Sequence, residues 1–357
     1  MTISPAQQNF PSLRHLARVA LSSLRVLAGL AAYRLSGRTP AFAYQALVRL
    51  FTLTRGRSND LLAALIGRLR RPYYLEQPEG ILNFRNDAER HAAADALRTR
   101  GYFLFPEQLP AELCDKLLQF ALTHPCTARA TDSGDAARAQ PGVYPRGEPQ
   151  AIIYEFHPGD LINQPDVQRL MGDGSLLALA QDYLGAQPVL DTVNLWWSTA
   201  HSQQPDRNAA QLYHFDMDHV RWLKFFIYLT DMTPARGPHC FVAGSHRSGG
   251  IPDSFLAQGY ARLTDAEVAA CYPAEDLIEF TGRRGTIIAE DTRGLHKGKP
   301  VLQGDRLMFE FEFSNSLFGA ALPGKGTITQ FHNSSFRRFV AAHRRVFSRW
   351  MDPATPR

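Results

Sequence analysis

Between residues 187 and 314 the chain alternates short apolar, β-branched and aromatic runs with turn-forming clusters. The runs are "PVLDTVNLWWSTA", "QLYHFDMD", "WLKFFIYLTDM", "HCFVAGSH", "LIEFTG", "GTIIAED" and "DRLMFEFEFS"; "PARGP", "GSHRSGG", "GRRG" and "VLQGD" punctuate them. Many short strands closed by Gly and Pro at this spacing predict an antiparallel sandwich or barrel. In the last run Glu310 and Glu312 alternate with Phe309, Phe311 and Phe313. That is the pattern of a half-buried strand, and it assigns neither glutamate a catalytic role.

The chain ahead of this region reads as helical. Residues 13–35, 41–54 and 59–70 are rich in Ala, Leu and Arg, with Asn59 and Asp60 placed to cap the third helix. A linker, "RRPYYLEQPEG", then suggests a boundary near residue 80. Residues 86–122 predict a helix, a short strand "YFLFP" and a second helix after Pro110. Residues 126–150, rich in Gly, Pro, Ala and Arg, predict a long loop that could act as a lid. Residues 334–351 predict a closing basic amphipathic helix. The expected organisation is a basic helical region (1–80), a β-rich domain (81–330) and a C-terminal helix with tail (331–357).

Of the 357 residues, 45% are hydrophobic and 20% charged, enough for a large core and unlike a disordered chain. The net charge is +5, and no acidic residue precedes Asp60. The basic N-terminal region could cap the β domain, dimerise or rest on an anionic membrane surface. It lacks the aromatic–basic interleaving of a nucleic-acid binder, so no nucleic-acid partner is expected. No segment has eighteen uninterrupted apolar residues; Arg25 interrupts the nearest, residues 16–33, which reads as an amphipathic helix. The four cysteines, Cys114, Cys126, Cys240 and Cys271, have no paired spacing. Reduced thiols in a cytoplasmic protein, peripheral to the membrane if the helices touch it, are the expectation.

His214 and Asp216 stand two apart ahead of "WLKFFIYL". Alternate residues of an extended segment face the same side, so both could reach one metal ion. A mononuclear iron(II) site of two imidazoles and one carboxylate needs a further, distant His. His219, His239, His246, His296 and His332 are available, and His296, after the strand "RGTIIAED", is best placed. Ten residues later Arg306 opens a very apolar strand. A buried guanidinium needs a partner, and a dicarboxylate held there while chelating the metal would satisfy both.

His214-Phe-Asp216, His296 and Arg306 together resemble the HxD…H…R pattern of Fe(II)/2-oxoglutarate-dependent dioxygenases. "GPHCFVAGSHRSGG" and "RTRGYFLFPEQLPAELCDKLLQFAL" resemble the phytanoyl-CoA dioxygenase family in particular, over roughly residues 86–315. The resemblance implies a mainly β fold with flanking helices: a double-stranded β-helix, or jelly-roll, core carrying the N-terminal helical extension. It implies iron(II) held by His214, Asp216 and His296, with 2-oxoglutarate and O2 as co-substrates and Arg306 on the far carboxylate of 2-oxoglutarate. It offers Asn194 and Lys224 as further co-substrate contacts, and makes Asp218 and His219 supporting or lid residues and His246 a turn residue. Related halogenases have Gly or Ala in place of the carboxylate ligand, so Asp216 implies hydroxylation, with release of succinate and CO2, of a small organic or acyl-type substrate. The segment Lys297-Gly298-Lys299 departs from the family's small or hydroxyl residues and would suit an anionic substrate. Two competing readings are a catalytically silent jelly-roll binding module and a cupin-like metalloenzyme that does not use 2-oxoglutarate.

Overall fold

The computed structural model describes residues 12–76, 78–129, 140–259, 261–322, 324 and 326–352. Three helices come first: α1 (Leu13–Ser36), α2 (Ala41–Thr54) and α3 (Arg57–Leu69). Then follow α4 (Asp87–Arg100), β1 (Tyr102–Gln108), α5 (Ala111–Thr123), β2 (Pro125–Ala128), β3 (Gly142–Val143) and β4 (Ile153–Glu155). The short helices α6 (Pro158–Leu161), α7 (Pro165–Met171) and α8 (Gly174–Leu184) lead to β5 (Val189–Thr199), β6 (Trp222–Tyr228) and β7 (His239–Val242). The chain closes through α9 (Asp253–Leu256), α10 (Asp265–Ala269), β8 (Leu277–Phe280), β9 (Thr286–Glu290), β10 (His296–Gly298), β11 (Asp305–Ser314) and α11 (Ser334–Ala342).

The strands form a major sheet, β1-β9-β6-β11-β5-β4-β2-β3, and a minor sheet, β10-β7-β8, with antiparallel pairing throughout. This is the jelly-roll core of a mainly β protein with flanking helices. One face of the major sheet carries Val193, Leu195, Trp197, Phe225, Ile227, Phe309 and Phe311 into the largest core cluster, against α4, α5, α7 and α8. Burying each such side chain contributes about 1.5–3 kcal/mol. The opposite face presents Phe226, Tyr228, Ile288 and Met308 to Phe241 and Phe280 of the minor sheet. Strand β11 is therefore buried along its whole length rather than half-buried, because the minor sheet covers the face that alternation assigns to solvent.

Other boundaries also move for tertiary reasons. Gly56 precedes α3, and neither Asn59 nor Asp60 caps it. Asn59 is buried and donates to the Val220 carbonyl at 3.0 Å, while Asp60 accepts from Arg221, Ser248 and Arg293. Helix α11 stops at Ala342 because the chain beyond it serves β5: Leu190 donates to the Val346 carbonyl, and the Trp350 indole donates to the Leu190 carbonyl at 2.7 Å. Residues 126–150 hold two short strands, β2 and β3; the centre of that expected loop, 130–139, lies outside the described residues. The N-terminal helices dock on the β domain, with Leu47 and Leu50 packed against Val220 and Phe318, and Phe51 stacked on Phe215 at 6.0 Å. All four cysteines are unpaired.

Candidate metal and co-substrate site

His214 and Asp216 do not lie on a regular strand. His214 forms an isolated antiparallel bridge with His296: each backbone N–H donates to the other's carbonyl, at 3.0 and 2.8 Å. Asp216 donates its N–H to the Thr292 carbonyl at 2.8 Å. The segment is thus threaded beside the 292–296 loop and braced behind by Phe51 of α2, which leaves its alternate side chains facing inward. The two imidazole centroids lie 4.3 Å apart. His214 Nε2 is 3.8 Å from Asp216 Oδ1, and His296 Nε2 is 3.5 Å from Asp216 Oδ2. Ligand atoms of the three residues all lie within 4.8 Å of one another.

The local hydrogen bonds fix the tautomers. Nδ1 of His214 sits 2.9 Å from the Leu212 carbonyl, and Nδ1 of His296 sits 3.0 Å from the Gly294 carbonyl. Only a protonated Nδ1 can donate to a carbonyl, so Nε2 of each ring keeps its lone pair toward the site, as metal-ligating imidazoles require. Burial, reinforced by repulsion from His296, lowers His214 to about 3. Burial lowers His296 to about 4 against the pull of Asp216. Both rings are neutral at physiological pH, as metal ligation would require. Burial alone would raise Asp216, but Lys224 and the two imidazoles outweigh it and hold the carboxyl well below the usual range.

Lys224 lies on β6 with its ammonium 2.9 Å from Asp216 Oδ2, 3.3 Å from Glu312, 3.5 Å from Asp218 and 3.6 Å from Glu310. Four carboxylates of this chain surround it, and Asp216 is the nearest of them. Asn194 on β5 pairs across the ladder with Glu310, and its side chain opposes the rise that burial imposes on that carboxyl. It too is engaged inside the protein.

Arg306 differs. It is buried, donating through Nη2 to the Ser198 hydroxyl at 3.0 Å and through Nη1 to the Gly237 carbonyl. Its Nε has no partner, and it forms no ion pair with any described carboxylate; the nearby Glu310 pairs with Lys224 instead. A Cβ at Gly298 would lie 2.8 Å from Arg306 Nη2, so only glycine admits the guanidinium here. A buried cation with an idle donor is costly unless an anion completes it. The donor sets therefore fit the expected groups: two imidazole nitrogens and a carboxylate for iron(II), and an uncompensated guanidinium for a carboxylate of 2-oxoglutarate.

His239 and His246 have other work. His239 contacts Glu290 through Nε2 at 3.0 Å; burial lowers the ring to about 3 and raises the acid, leaving a neutral pair. His246 is engaged through Nε2 with the Arg98 carbonyl at 3.1 Å, outside the ligand cluster. Lys297 pairs with Asp265 and Lys299 with Glu279, so neither is a free cation for an anionic substrate. The sequence pattern does not find Ser198 and Gly237 as the seats of Arg306; no local signal marks them, since the contacts span 108 and 69 residues.

The phytanoyl-CoA dioxygenase family model matches residues 97–306, more than half of the chain. No curated protein matches. Among solved structures, the 2-oxoglutarate-dependent epimerase SnoN of nogalamycin biosynthesis is 19% identical, with 69% of this chain and 94% of that chain covered at a TM-score of 0.48. HygX from Streptomyces hygroscopicus, solved with nickel, 2-oxoglutarate and hygromycin B, is 16% identical, with 66% and 91% covered at 0.45. The non-haem carbocyclase SnoK is 16% identical, with 67% and 87% covered at 0.44. The match to the family model spans His214, Asp216, His296 and Arg306, and the chain belongs to the phytanoyl-CoA dioxygenase family of iron(II)- and 2-oxoglutarate-dependent enzymes.

Proposed function

We propose that the protein is a hydroxylase acting on an unactivated C–H bond of a small organic or acyl-type substrate. Iron(II) and 2-oxoglutarate supply O2 activation, with 2-oxoglutarate leaving as succinate and CO2. His214 and His296 present neutral Nε2 donors, Asp216 fills the third position, Lys224 fixes the orientation of Asp216, and Arg306 anchors the co-substrate carboxylate. The observation that carries the reading is Asp216 at the third ligand position, 3.5–3.8 Å from both imidazoles, where a halogenase would leave room for chloride. Anaerobic addition of Fe(II) and 2-oxoglutarate should produce a weak visible charge-transfer band that His214→Ala abolishes. No band from folded, iron-loaded protein would sink the co-substrate assignment and favour a cupin-like enzyme; no iron uptake would favour a silent binding module. Incorporation of one atom from labelled O2 into product would separate hydroxylation from epimerisation or ring closure.

We further propose that the enzyme works at an anionic membrane surface on the cytoplasmic side. Helix α1 is long and apolar enough to cross a membrane by length and composition. Yet Ser22, Val26 and Gly29 face α2, while Leu13, Leu24, Leu27 and Leu35 are exposed along the opposite face, flanked by Arg14, Arg18 and Arg25. An outward apolar stripe bordered by arginines suits an interfacial helix. Co-sedimentation with anionic but not neutral vesicles, lost in Leu24→Glu/Leu27→Glu, is the expected result. Sedimentation unchanged by that pair would refute it.

A further inference from the structure

Strands β5 and β11 pair residue for residue until Glu312 faces Thr192; the next pair is Phe313 with Leu190. Asp191 is the extra residue of a β-bulge. Without it, alternation would send the Asp191 side chain into the apolar cluster of Val193, Leu195 and Trp197. The bulge turns it to the other face and lets Leu190 take the core position. There it meets Glu312 of β11 and His219, which ends the segment carrying His214 and Asp216. Ligand atoms of Asp191, His219 and Glu312 lie within 4.8 Å of one another, and all three residues are buried.

These groups are poorly served by the protein. Asp191 and His219 are 0% exposed, yet neither carboxylate oxygen and neither ring nitrogen has an aligned hydrogen bond. Asp191 Oδ2 and His219 Nε2 stand 3.3 Å apart without bonding, and the Ser314 hydroxyl and the Phe318 backbone lie near but off-line. Glu312 Oε1 is also unpartnered, and only Oε2 approaches Lys224. Gly319 presses on the ring: a Cβ there would sit 2.6 Å from His219 Nδ1. Orphaned buried polar atoms on this scale carry a desolvation cost unless something completes them. The charge balance points the same way. Asp191, Asp216, Asp218, Glu310 and Glu312 face two cations, Lys224 and Arg349, so a divalent ion at the His214 site still leaves the cluster with one carboxylate in excess. Burial drives Asp191 up to about 7 and lifts Glu312 well above the usual carboxylate range, so the pocket takes up positive charge, as protons or as a cation.

We infer that Asp191, His219 and Glu312 form a second divalent-cation site, distinct from the His214–Asp216–His296 centre and lying on the far side of Lys224. One imidazole and two carboxylates select a first-row transition ion such as Mn2+, Fe2+ or Zn2+ over Ca2+ or Mg2+, which prefer all-oxygen sets. The ion pins the segment bearing His214 and Asp216 to β5 and β11, and frees the Lys224 ammonium for Asp216. The inference does not depend on the oxygenase reading.

The test is Mn2+ binding to metal-free full-length protein, read by the loss of the free-ion paramagnetic signal and by metal analysis. Wild type should bind about two equivalents and His214→Ala about one, since one set of N/O donors survives. Asp191→Asn and, independently, Glu312→Gln should each remove the equivalent that His214→Ala retains, leaving about one equivalent bound. Should the first site fail instead, binding would resist His214→Ala but still yield to Asp191→Asn. A single wild-type equivalent lost entirely in His214→Ala would overturn the inference. So would a residual equivalent indifferent to both Asp191→Asn and Glu312→Gln in folded variants.

Discussion

Arg306→Lys tests the co-substrate pocket most directly. The guanidinium has two donors occupied, on Gly237 and Ser198, and an Nε with no partner inside the protein. Lysine keeps the charge but loses the planar fork, is shorter, and cannot hold both seats while meeting a carboxylate. Losing one charge-assisted hydrogen bond, about 1.5–3 kcal/mol, corresponds to a rise of about 10- to 100-fold in the 2-oxoglutarate Kd. Fe(II) affinity measured without 2-oxoglutarate should not change, because Arg306 is not among the three ligands. The assay is anaerobic titration of the charge-transfer band at saturating Fe(II), with thermal unfolding as a control. Ser198→Ala, which removes only the 3.0 Å seat, should give a smaller shift in the same direction. If folded Arg306→Lys binds 2-oxoglutarate within about threefold of wild type, an effect below 1 kcal/mol, the guanidinium is structural and the co-substrate carboxylate binds elsewhere.

Gly298→Ala should act through the same group: its Cβ falls 2.8 Å from Arg306 Nη2, so the 2-oxoglutarate Kd should rise about tenfold in the titration above with iron affinity retained. Lys224→Met leaves Asp216, Asp218, Glu310 and Glu312 without their shared cation, so urea unfolding of the metal-free protein at pH 7 should show a loss of about 3–5 kcal/mol. Metal binding should follow pH weakly, because His214 and His296 are held near 3 and 4 by burial in the folded chain. Their ordinary value is about 6.5, so the neutral rings contribute fully to stability above that pH and lose that contribution as pH falls toward 4. Fe(II) affinity of the folded apo-protein should thus be nearly constant between about pH 7.5 and 6, where an exposed histidine site would weaken; calorimetry at the two pH values checks this.

The strand runs were legible because a two-residue period and Gly/Pro punctuation are local properties. So were α1, α2 and α5, whose starts and stops match Ser12, Pro40, Gly37 and Pro110. The ligand candidates were legible because HxD places two side chains on one side of an extended segment, and an isolated Arg in an apolar strand demands an anion. Less visible were the uses of Asn59 and Asp60, which look like helix caps but tie α3 to Val220, Arg221 and Arg293. The surroundings of Lys224 and Asn194 were hidden for a similar reason: the carboxylates beside them come from β11 and the 216–218 segment.

The sequence by itself determined the alternation of strands, the three-helix preface, and the residue types that can hold iron and a dicarboxylate, all of which follow from periodicity and side-chain chemistry. Only the tertiary structure decided which histidine meets His214, because the bridge to His296 spans a turn of the whole jelly roll. It alone revealed that Asp191 leaves the core, because a bulge is a property of two strands paired together. It alone buried both faces of β11, because solvent or minor sheet on the second face is settled by what packs there and not by the pattern along the strand.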